Sequence, residues 1–178
     1  MNNERNGSSA MVPGWPLALF RGAFGLMYLN MALQKAPWIT GPEGHPYGWL
    51  YGYIWKEINH PTFGWYTAVL KGMVLPNFGV FGLMSFLTEI ALGVALVFGI
   101  LIPLVGLGGA LWMINIMLGS YSIPGEWGWL WMLLIAPQVT FAFSGAGRVL
   151  GVDAWLQPLL ARRAATGMPL ARVLRYAA

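Results

Sequence analysis

The sequence predicts an all-α polytopic membrane protein, a bundle of four antiparallel transmembrane helices with an extra segment on its outer side. Hydrophobic residues make up 57% of the 178 residues and charged residues only 9%, whereas a soluble domain carries about 25% charged residues. Between Lys71 and Arg148 the charged side chains are Glu89 and Glu126 alone. Long apolar runs with so few charges are typical of helices that cross a bilayer, each of which needs about 20 residues.

The four predicted spans are separated by residues that stop helices. Proline disfavours helix at the residue before it, and glycine is common just past a helix end. Such residues bound the apolar runs at Pro37, Pro103 and Gly145. A flexible N-terminus, residues 1–15, precedes the bundle of residues 16–147. The predicted spans are 16–36, 78–101, 103–121 and 126–144.

Lysine and arginine set the predicted orientation. Residues 148–178 form a tail that contains five arginines, and by the positive-inside rule that end is cytoplasmic. An even number of spans then places the N-terminus in the cytoplasm as well, with the protein in the inner membrane of a prokaryote. The tail mixes Leu, Val and Trp with Arg, which predicts an amphipathic, interfacial helix pair broken near Gly167 and Pro169 and attracted to anionic lipid.

In this topology the segment 37–77, between the first two spans, lies outside. Its eight Trp and Tyr residues predict short amphipathic helices at the outer membrane interface. Two roles remain open for this segment: a docking surface for a partner or an outside substrate, and a cap on the bundle. The candidate docking residues are Trp49, Trp55, Trp65 and Tyr66.

Composition excludes several kinds of site. The chain has no Cys, so it contains no disulfide, redox thiol or Cys-ligated metal. His45 and His60 are fifteen residues apart with no third His or Cys nearby, a poor spacing for a metal site. No span contains a His that could ligate haem, so no metal or haem ligated by this chain is expected. No basic stretch is interleaved with exposed aromatics, so no nucleic-acid partner is expected.

Each span carries a stripe of residues at the helical spacing of three or four. Small residues on such a stripe mark a helix–helix contact, so the stripes are predicted to face the bundle interior. They are Arg21, Gly25, Tyr28, Ala32 and Lys35 in the first span, Gly82, Ser85, Glu89 and Gly93 in the second, Gly108, Trp112, Asn115 and Gly119 in the third, and Leu134, Gln138, Phe141 and Gly145 in the fourth.

Glu89 is the polar residue most in need of an explanation. A charged side chain at the bilayer centre costs about 2.5–3.5 kcal/mol on insertion scales. From a rise of about 1.5 Å per residue, Glu89, Asn115 and Gln138 lie near the midplane. By the same rise Arg21 lies roughly 8–10 Å nearer the cytoplasm, and Lys35 lies at a similar offset on the outer side.

Two interpretations of Glu89 remain open. In the structural one, Glu89 pairs with Arg21 or with an amide and fixes how the helices pack. In the functional one, Glu89 and Arg21 are catalytic, and Asn115, Gln138 and Tyr28 bind a quinone head group. A neutral Glu89 would then donate a hydrogen bond to a quinone carbonyl. Glu89→Gln is expected to keep the fold, and full turnover by that variant would exclude a proton role.

Four segments in order resemble the DoxX/DoxD family of small four-helix membrane proteins. The first helix reads RGAFGLMYLNMALQK, the outer segment HPTFGWYTAVLKGMVLPNFGVF, the second helix LTEIALGVALVFGIL, and the end of the fourth GAGRVLGVDAWL. The resemblance covers about residues 17–156. Its DoxD branch implies the membrane subunit of a thiosulfate:quinone oxidoreductase that works with a second subunit.

The resemblance also implies site residues. Arg21, Glu89, Arg148 and Asp153 would be the family positions, and Arg148 and Asp153 are expected to pair at the cytoplasmic rim. That pair would be a structural clasp or part of a catalytic site. Because the chain lacks Cys, it is not expected to be catalytic alone.

The predicted function is therefore the quinone-facing membrane subunit of an oxidoreductase complex, with the lipid membrane and at least one other protein subunit as partners. The alternative is a non-catalytic accessory subunit that scaffolds a larger respiratory or photosynthetic electron-transfer complex. A small transporter is disfavoured, because the four short spans show no evident repeat or broken helix.

Overall fold

A computed structural model describes residues 14–165, which contain helices and no strand. The helices are α1 Trp15–Gln34, α2 Leu50–Asn59, α3 Gly64–Val69, α4 Phe78–Phe98, α5 Ile102–Ser120, α6 Gly128–Phe143 and α7 Asp153–Ala165. A π-helical stretch, Leu70–Val74, continues α3, and a 3₁₀ turn, Ala146–Arg148, follows α6. The predicted all-α class is confirmed. Nearly all of the N-terminus predicted to be flexible lies outside the described residues.

Three helices, α1, α4 and α5, are long and apolar enough to cross a membrane. α6 is also apolar but has 16 residues, fewer than the roughly 20 of a typical crossing. The outward sides of these helices carry apolar side chains such as Leu26, Leu111 and Phe143, which are 62%, 67% and 77% exposed. Helices that are apolar on all sides are typical of membrane spans, so the chain is a multi-pass membrane protein.

Proline and glycine set the helix ends. Pro103 lies in the first turn of α5, where its missing N–H is not needed for the helix. α4 ends at Phe98 and not at residue 101, because Gly99 takes a left-handed conformation with φ of 67°, which glycine adopts without a Cβ penalty. α6 begins at Gly128 and not at residue 126, after the turn around Pro124.

The apolar helices pack as two pairs, α1 with α4 and α5 with α6. Glycine allows the backbones to approach closely in both. A Cβ on Gly25 would lie 2.7 Å from the backbone N of Val97, and a Cβ on Gly106 would lie 2.5 Å from the backbone O of Gln138. Contact between α4 and α5 is far less extensive, which leaves a gap between the two pairs.

The predicted inward stripes are confirmed for α1 and α4 and largely wrong for α5. In α1 and α4 each stripe residue within the helix is buried. In α5 the buried face instead contains Gly106, Ala110, Met113 and Ser120. α5 has small residues on more than one face, so spacing alone did not distinguish the packed face. Gly108, Trp112 and Asn115 line the gap between the helix pairs instead.

The segment 37–77 contains α2, α3 and the π-helical stretch, so the predicted short helices are present, and their place at the outer membrane interface stays a prediction. Ile54 and Ile58 give α2 a buried apolar face, and α2 contacts both α5 and the π-helical stretch. α7 is the first helix of the predicted tail. The break predicted near Gly167 and Pro169 lies outside the described residues.

Candidate functional site

A large cavity lies in the gap between the two helix pairs, beside the helices of the outer segment. Its volume is about 890 Å³, within the range of roughly 300–1,000 Å³ that is usual for small-molecule sites. Its wall is mostly apolar and includes Met27, Met31 and Met73. Met84 and Leu111, on α4 and α5, also line it and are 55% and 67% exposed. The cavity therefore opens sideways, toward the surface that lipid would cover.

Polar side chains also line the cavity, and most of them lie toward the end beside α2 and α3, which is its outer end in the predicted topology. They come from the segment 37–77, from the C-terminal ends of α1 and α5, from the middle of α4 and from the turn before α6. They are Lys35, Tyr53, Glu57, Tyr66, Ser85, Asn115 and Glu126.

A buried ion pair joins α1 to α4. The Lys35 Nζ lies 2.5 Å from the Glu89 Oε1, and both side chains are almost completely buried. The Trp112 Nε1 donates a weaker hydrogen bond to the same oxygen at 3.4 Å. The Lys35 Nζ also lies 5.1 Å from the centre of the Trp49 ring, within cation–π range. Lys35 lines the cavity, whereas Glu89 binds the ammonium of Lys35 and does not line the cavity itself.

The partner of Glu89 is thus Lys35, and the predicted pairing with Arg21 is wrong. Gly25 packs against Gly93, which fixes the register of the two antiparallel helices. In that register Lys35 lies roughly 9 Å from Glu89 along the helix axis on the side of α2, and Arg21 roughly 12 Å from it on the opposite side, at about 1.5 Å per residue. Only the lysine is within reach, and its side chain extends back along the helix axis toward Glu89 to make the pair.

Arg21 instead binds the segment that follows α6. Its Nη1 donates to the backbone O of Ala146 at 2.5 Å and to that of Val149 at 3.5 Å, and its Nη2 donates to the O of Leu150 at 3.2 Å. A guanidinium presents its N–H donors in a planar fork, which suits three carbonyls on one turn of chain. Arg21 is therefore a structural clasp and lies far from Glu89.

Asp153 serves the same end of the protein. Its carboxylate accepts hydrogen bonds from the backbone N–H groups of Leu101 and Ile102, at 2.7 and 2.8 Å, which caps the start of α5. Negative charge is favourable at a helix N-terminus. The bonds that the structure gives Asp153 favour the structural interpretation of this position, and its pairing with Arg148 stays a prediction.

Only two of the three predicted quinone-binding residues are brought together, and those two lie outside the cavity. The Gln138 Nε2 donates to the Tyr28 hydroxyl at 2.8 Å, and that hydroxyl donates to the backbone O of Gly109 at 3.3 Å. This chain of bonds ties α1, α5 and α6 together, and neither Gln138 nor Tyr28 lines the cavity. Asn115 does line the cavity, because it lies on a different face of α5 from Gly109, where the chain of bonds ends.

Glu57, a carboxyl group in the cavity wall, was not among the predicted site residues. Glu57 is 6% exposed and accepts a hydrogen bond from the Ser120 Oγ at 2.7 Å. Burial raises the pKa of Glu57 to about 7. The helical period of α2 carried the signal: Glu57 shares the face of Tyr53 and Ile54, whereas Lys56 points away from it.

Two tyrosines from the outer segment bind acceptors beside the cavity. The Tyr53 hydroxyl donates to the Glu126 Oε1 at 3.2 Å, and the Tyr66 hydroxyl donates to the Asn115 backbone O at 2.9 Å. Burial, followed by the charges of neighbouring carboxylates, raises the pKa of both tyrosines to about 12. Both phenols therefore stay protonated near neutral pH and keep their hydrogens on these acceptors.

The candidate docking residues separate into two groups. Trp49 and Tyr66 line the cavity, whereas Trp55 and Trp65 are 40% and 60% exposed on the protein surface.

His45 stacks on the Tyr51 ring with centroids 3.7 Å apart. Across residues 14–165 no three His, Asp or Glu side chains lie close enough together to hold a metal ion.

The raised pKa of Glu57 predicts a pH-dependent stability. Between its ordinary value of 4.5 and about 7, the folded protein holds a proton on this carboxyl that the unfolded chain releases. Stability is thus expected to fall by up to about 3 kcal/mol as the pH rises through this window. Glu57→Gln removes this contribution. Thermal unfolding in detergent from pH 4.5 to 8 should show a Tm decline that is shallower in Glu57→Gln than in the wild type, and parallel curves would contradict the assignment.

Comparisons of the chain with protein-family models, with curated proteins and with solved structures found no match. The resemblance to the DoxX/DoxD family therefore rests on the sequence segments described above.

Proposed function

We propose that the protein is the quinone-facing membrane subunit of an oxidoreductase complex of the thiosulfate:quinone type. The single observation that carries this proposal is the cavity of about 890 Å³ between the helix pairs. It is apolar along most of its wall, polar toward the outer end and open toward lipid. A quinone is an amphiphile with a polar ring and an apolar tail, and it travels within the bilayer, so these three properties suit it.

The polar groups of the cavity have distinct roles in this proposal. The Lys35 ammonium has three N–H donors, of which one points to Glu89, so it can donate another to a quinone carbonyl. Glu89 and Trp49 hold the ammonium in place. The methionines along the wall offer flexible, polarizable contacts that adapt to an apolar tail. Electron donation belongs to another subunit, since this chain contains no Cys.

The proposed topology has four spans. α6 crosses the membrane together with α1, α4 and α5, since it packs along α5. Ser144 and the residues after it lengthen the crossing segment beyond the end of α6. The tail after residue 148 lies in the cytoplasm by the positive-inside rule, as does the N-terminus, in the inner membrane of a prokaryote. The outer segment and the polar end of the cavity then face the outside.

A second function, that of a non-catalytic accessory subunit of a larger electron-transfer complex, is favoured by one observation. Trp55 and Trp65 leave 40% and 60% of their surfaces exposed on the outer segment, and tryptophan is enriched in protein interfaces. In that case these two residues, and not the cavity, would be indispensable.

Filling the cavity tests the proposed function. Gly108 lines the cavity, and a Cβ added there meets no atom within 4 Å, so Gly108→Phe is expected to occupy the cavity without disturbing the backbone. The matched control is Gly79→Phe, at another helical glycine with open space that does not line the cavity. We expect Gly108→Phe to lose at least nine-tenths of the quinone that co-purifies in mild detergent, and Gly79→Phe to keep it.

The same preparations separate the two functions. Mass spectrometry identifies the co-purifying chains, and an absorption spectrum reports bound pigment or haem. A small partner with stoichiometric quinone supports the proposed function. A large pigment- or haem-bearing complex that keeps its composition in Gly108→Phe and disperses in a Trp55→Ala, Trp65→Ala double variant would favour the accessory role.

A further inference from the structure

At the outer end of the cavity, the hydroxyl groups already donate their hydrogens to acceptors of the protein. The hydroxyl of Ser120 donates to Glu57, that of Tyr53 to Glu126, and that of Tyr66 to Asn115. These three hydroxyl hydrogens point at protein oxygens, so they are not available to a ligand.

The carboxyl groups of Glu57 and Glu126 can accept more hydrogen bonds than the protein gives them. In each carboxyl group, the bond that the described residues provide goes to Oε1, and Oε2 remains open to a ligand. Both side chains line the cavity. The Tyr53 hydroxyl, bonded to Glu126, also interacts with Glu57 and Ser120, so the two carboxyl groups lie around the same phenol. A ligand head group here meets carboxylate oxygens, which accept hydrogen bonds and cannot donate them when ionised.

Donors for a ligand are also present in the wall, in the Lys35 ammonium and the Asn115 amide. A quinone carbonyl accepts only, so it satisfies these donors and leaves the carboxylates facing another acceptor. A hydroquinone hydroxyl both donates and accepts, so it satisfies the carboxylates and the donors together. A buried acceptor left without a partner weakens binding by about five- to 140-fold.

Resting on the proposed function, we propose that the cavity selects the reduced, hydroquinone form of its ligand and that Glu57 makes this selection. Glu57 is better placed for it than Glu126, because it is 6% exposed and held by Ser120 and by close packing against Gly119. A Cβ on Gly119 would lie 2.6 Å from the carboxyl carbon of Glu57, so the carboxyl group has little freedom to turn away from the cavity.

The test compares the two redox forms of one probe. A short-chain benzoquinone and its hydroquinone, the latter kept reduced under anaerobic conditions, are titrated at pH 8 into the intact purified protein in lipid nanodiscs. Quenching of tryptophan fluorescence reports binding, since Trp49 and Trp112 line the cavity. We expect the wild type to bind the hydroquinone about tenfold more tightly, as one unpaired buried acceptor implies.

Glu57→Gln is expected to bring the two affinities within about twofold of each other, because the amide can donate to a quinone carbonyl. Its binding of the quinone form shows that the cavity remains intact. Glu43→Gln, a matched change in the outer segment that does not line the cavity, should keep the wild-type ratio. Equal affinities in the wild type, or a ratio unchanged by Glu57→Gln, would overturn the inference and leave the proposed function standing. If neither form binds the wild type, the proposed function fails as well.

Discussion

Glu89→Leu is expected to be among the most destabilising single substitutions in the membrane-embedded part of this protein. It leaves the Lys35 ammonium, which is 2% exposed, with no counter-charge in an apolar setting. Removing one partner of a buried ion pair costs about 3–5 kcal/mol. We expect a loss of that size in equilibrium unfolding from mixed micelles. Glu89→Gln keeps an oxygen that accepts a bond from Lys35, so it should fold and lose less than half as much.

The double variant Lys35→Met, Glu89→Leu separates pairing from packing. Replacing both members of a buried pair by apolar residues of similar volume is often close to neutral, so the double variant should recover most of the stability lost in Glu89→Leu. If the stability lost in the double variant equals the sum of the losses in Lys35→Met and Glu89→Leu, the two residues act independently. That result would contradict the ion pair.

Arg21→Leu is expected to release the end of the bundle that carries the segment after α6. The substitution leaves three backbone carbonyls, those of Ala146, Val149 and Leu150, without their donors. A buried polar group that loses its partner costs about 1–3 kcal/mol, so a total loss of about 3 kcal/mol or more is expected. Arg21→Lys keeps the charge without the planar fork and should recover only part of it.

Hydrogen exchange localises the effect of Arg21→Leu. The amides of Val152 and Asp153 bond to the carbonyls of Phe98 and Gly99, so they report whether the segment after α6 stays docked. We expect their exchange to accelerate at least tenfold in Arg21→Leu, while the amides of α2 keep their wild-type rates. Uniform acceleration across the protein would indicate global destabilisation and contradict a local clasp.

Helix positions were the part of the fold that sequence could predict well. Apolar runs bounded by Pro and Gly located α1, α4, α5 and α6 to within a few residues, because those stops act through local backbone geometry. The packed face of α5 was not predictable in the same way. Burial in a membrane helix depends on which neighbour lies on which side, and α5 carries small residues on several faces.

The site was predicted only in part. Sequence identified Glu89 as an inward-facing carboxyl group but not its partner, because the choice between Lys35 and Arg21 depends on the register fixed by the contact of Gly25 with Gly93. Glu57 was overlooked because it lies in a segment interpreted as interfacial. Its place on the apolar face of α2, with Ile54 and Ile58, was nevertheless present in the sequence.

Photolabelling measures most directly whether the cavity is a quinone site. An azido-substituted short-chain quinone is irradiated with the intact protein in nanodiscs, and the modified peptides are identified by mass spectrometry. We expect labels on cavity residues of the π-helical stretch, α4 and α5, such as Met73, Met84 and Trp112. Excess unlabelled quinone and Gly108→Phe should each abolish them. Labels scattered over the lipid-facing surface, insensitive to both, would contradict a quinone site between the helix pairs.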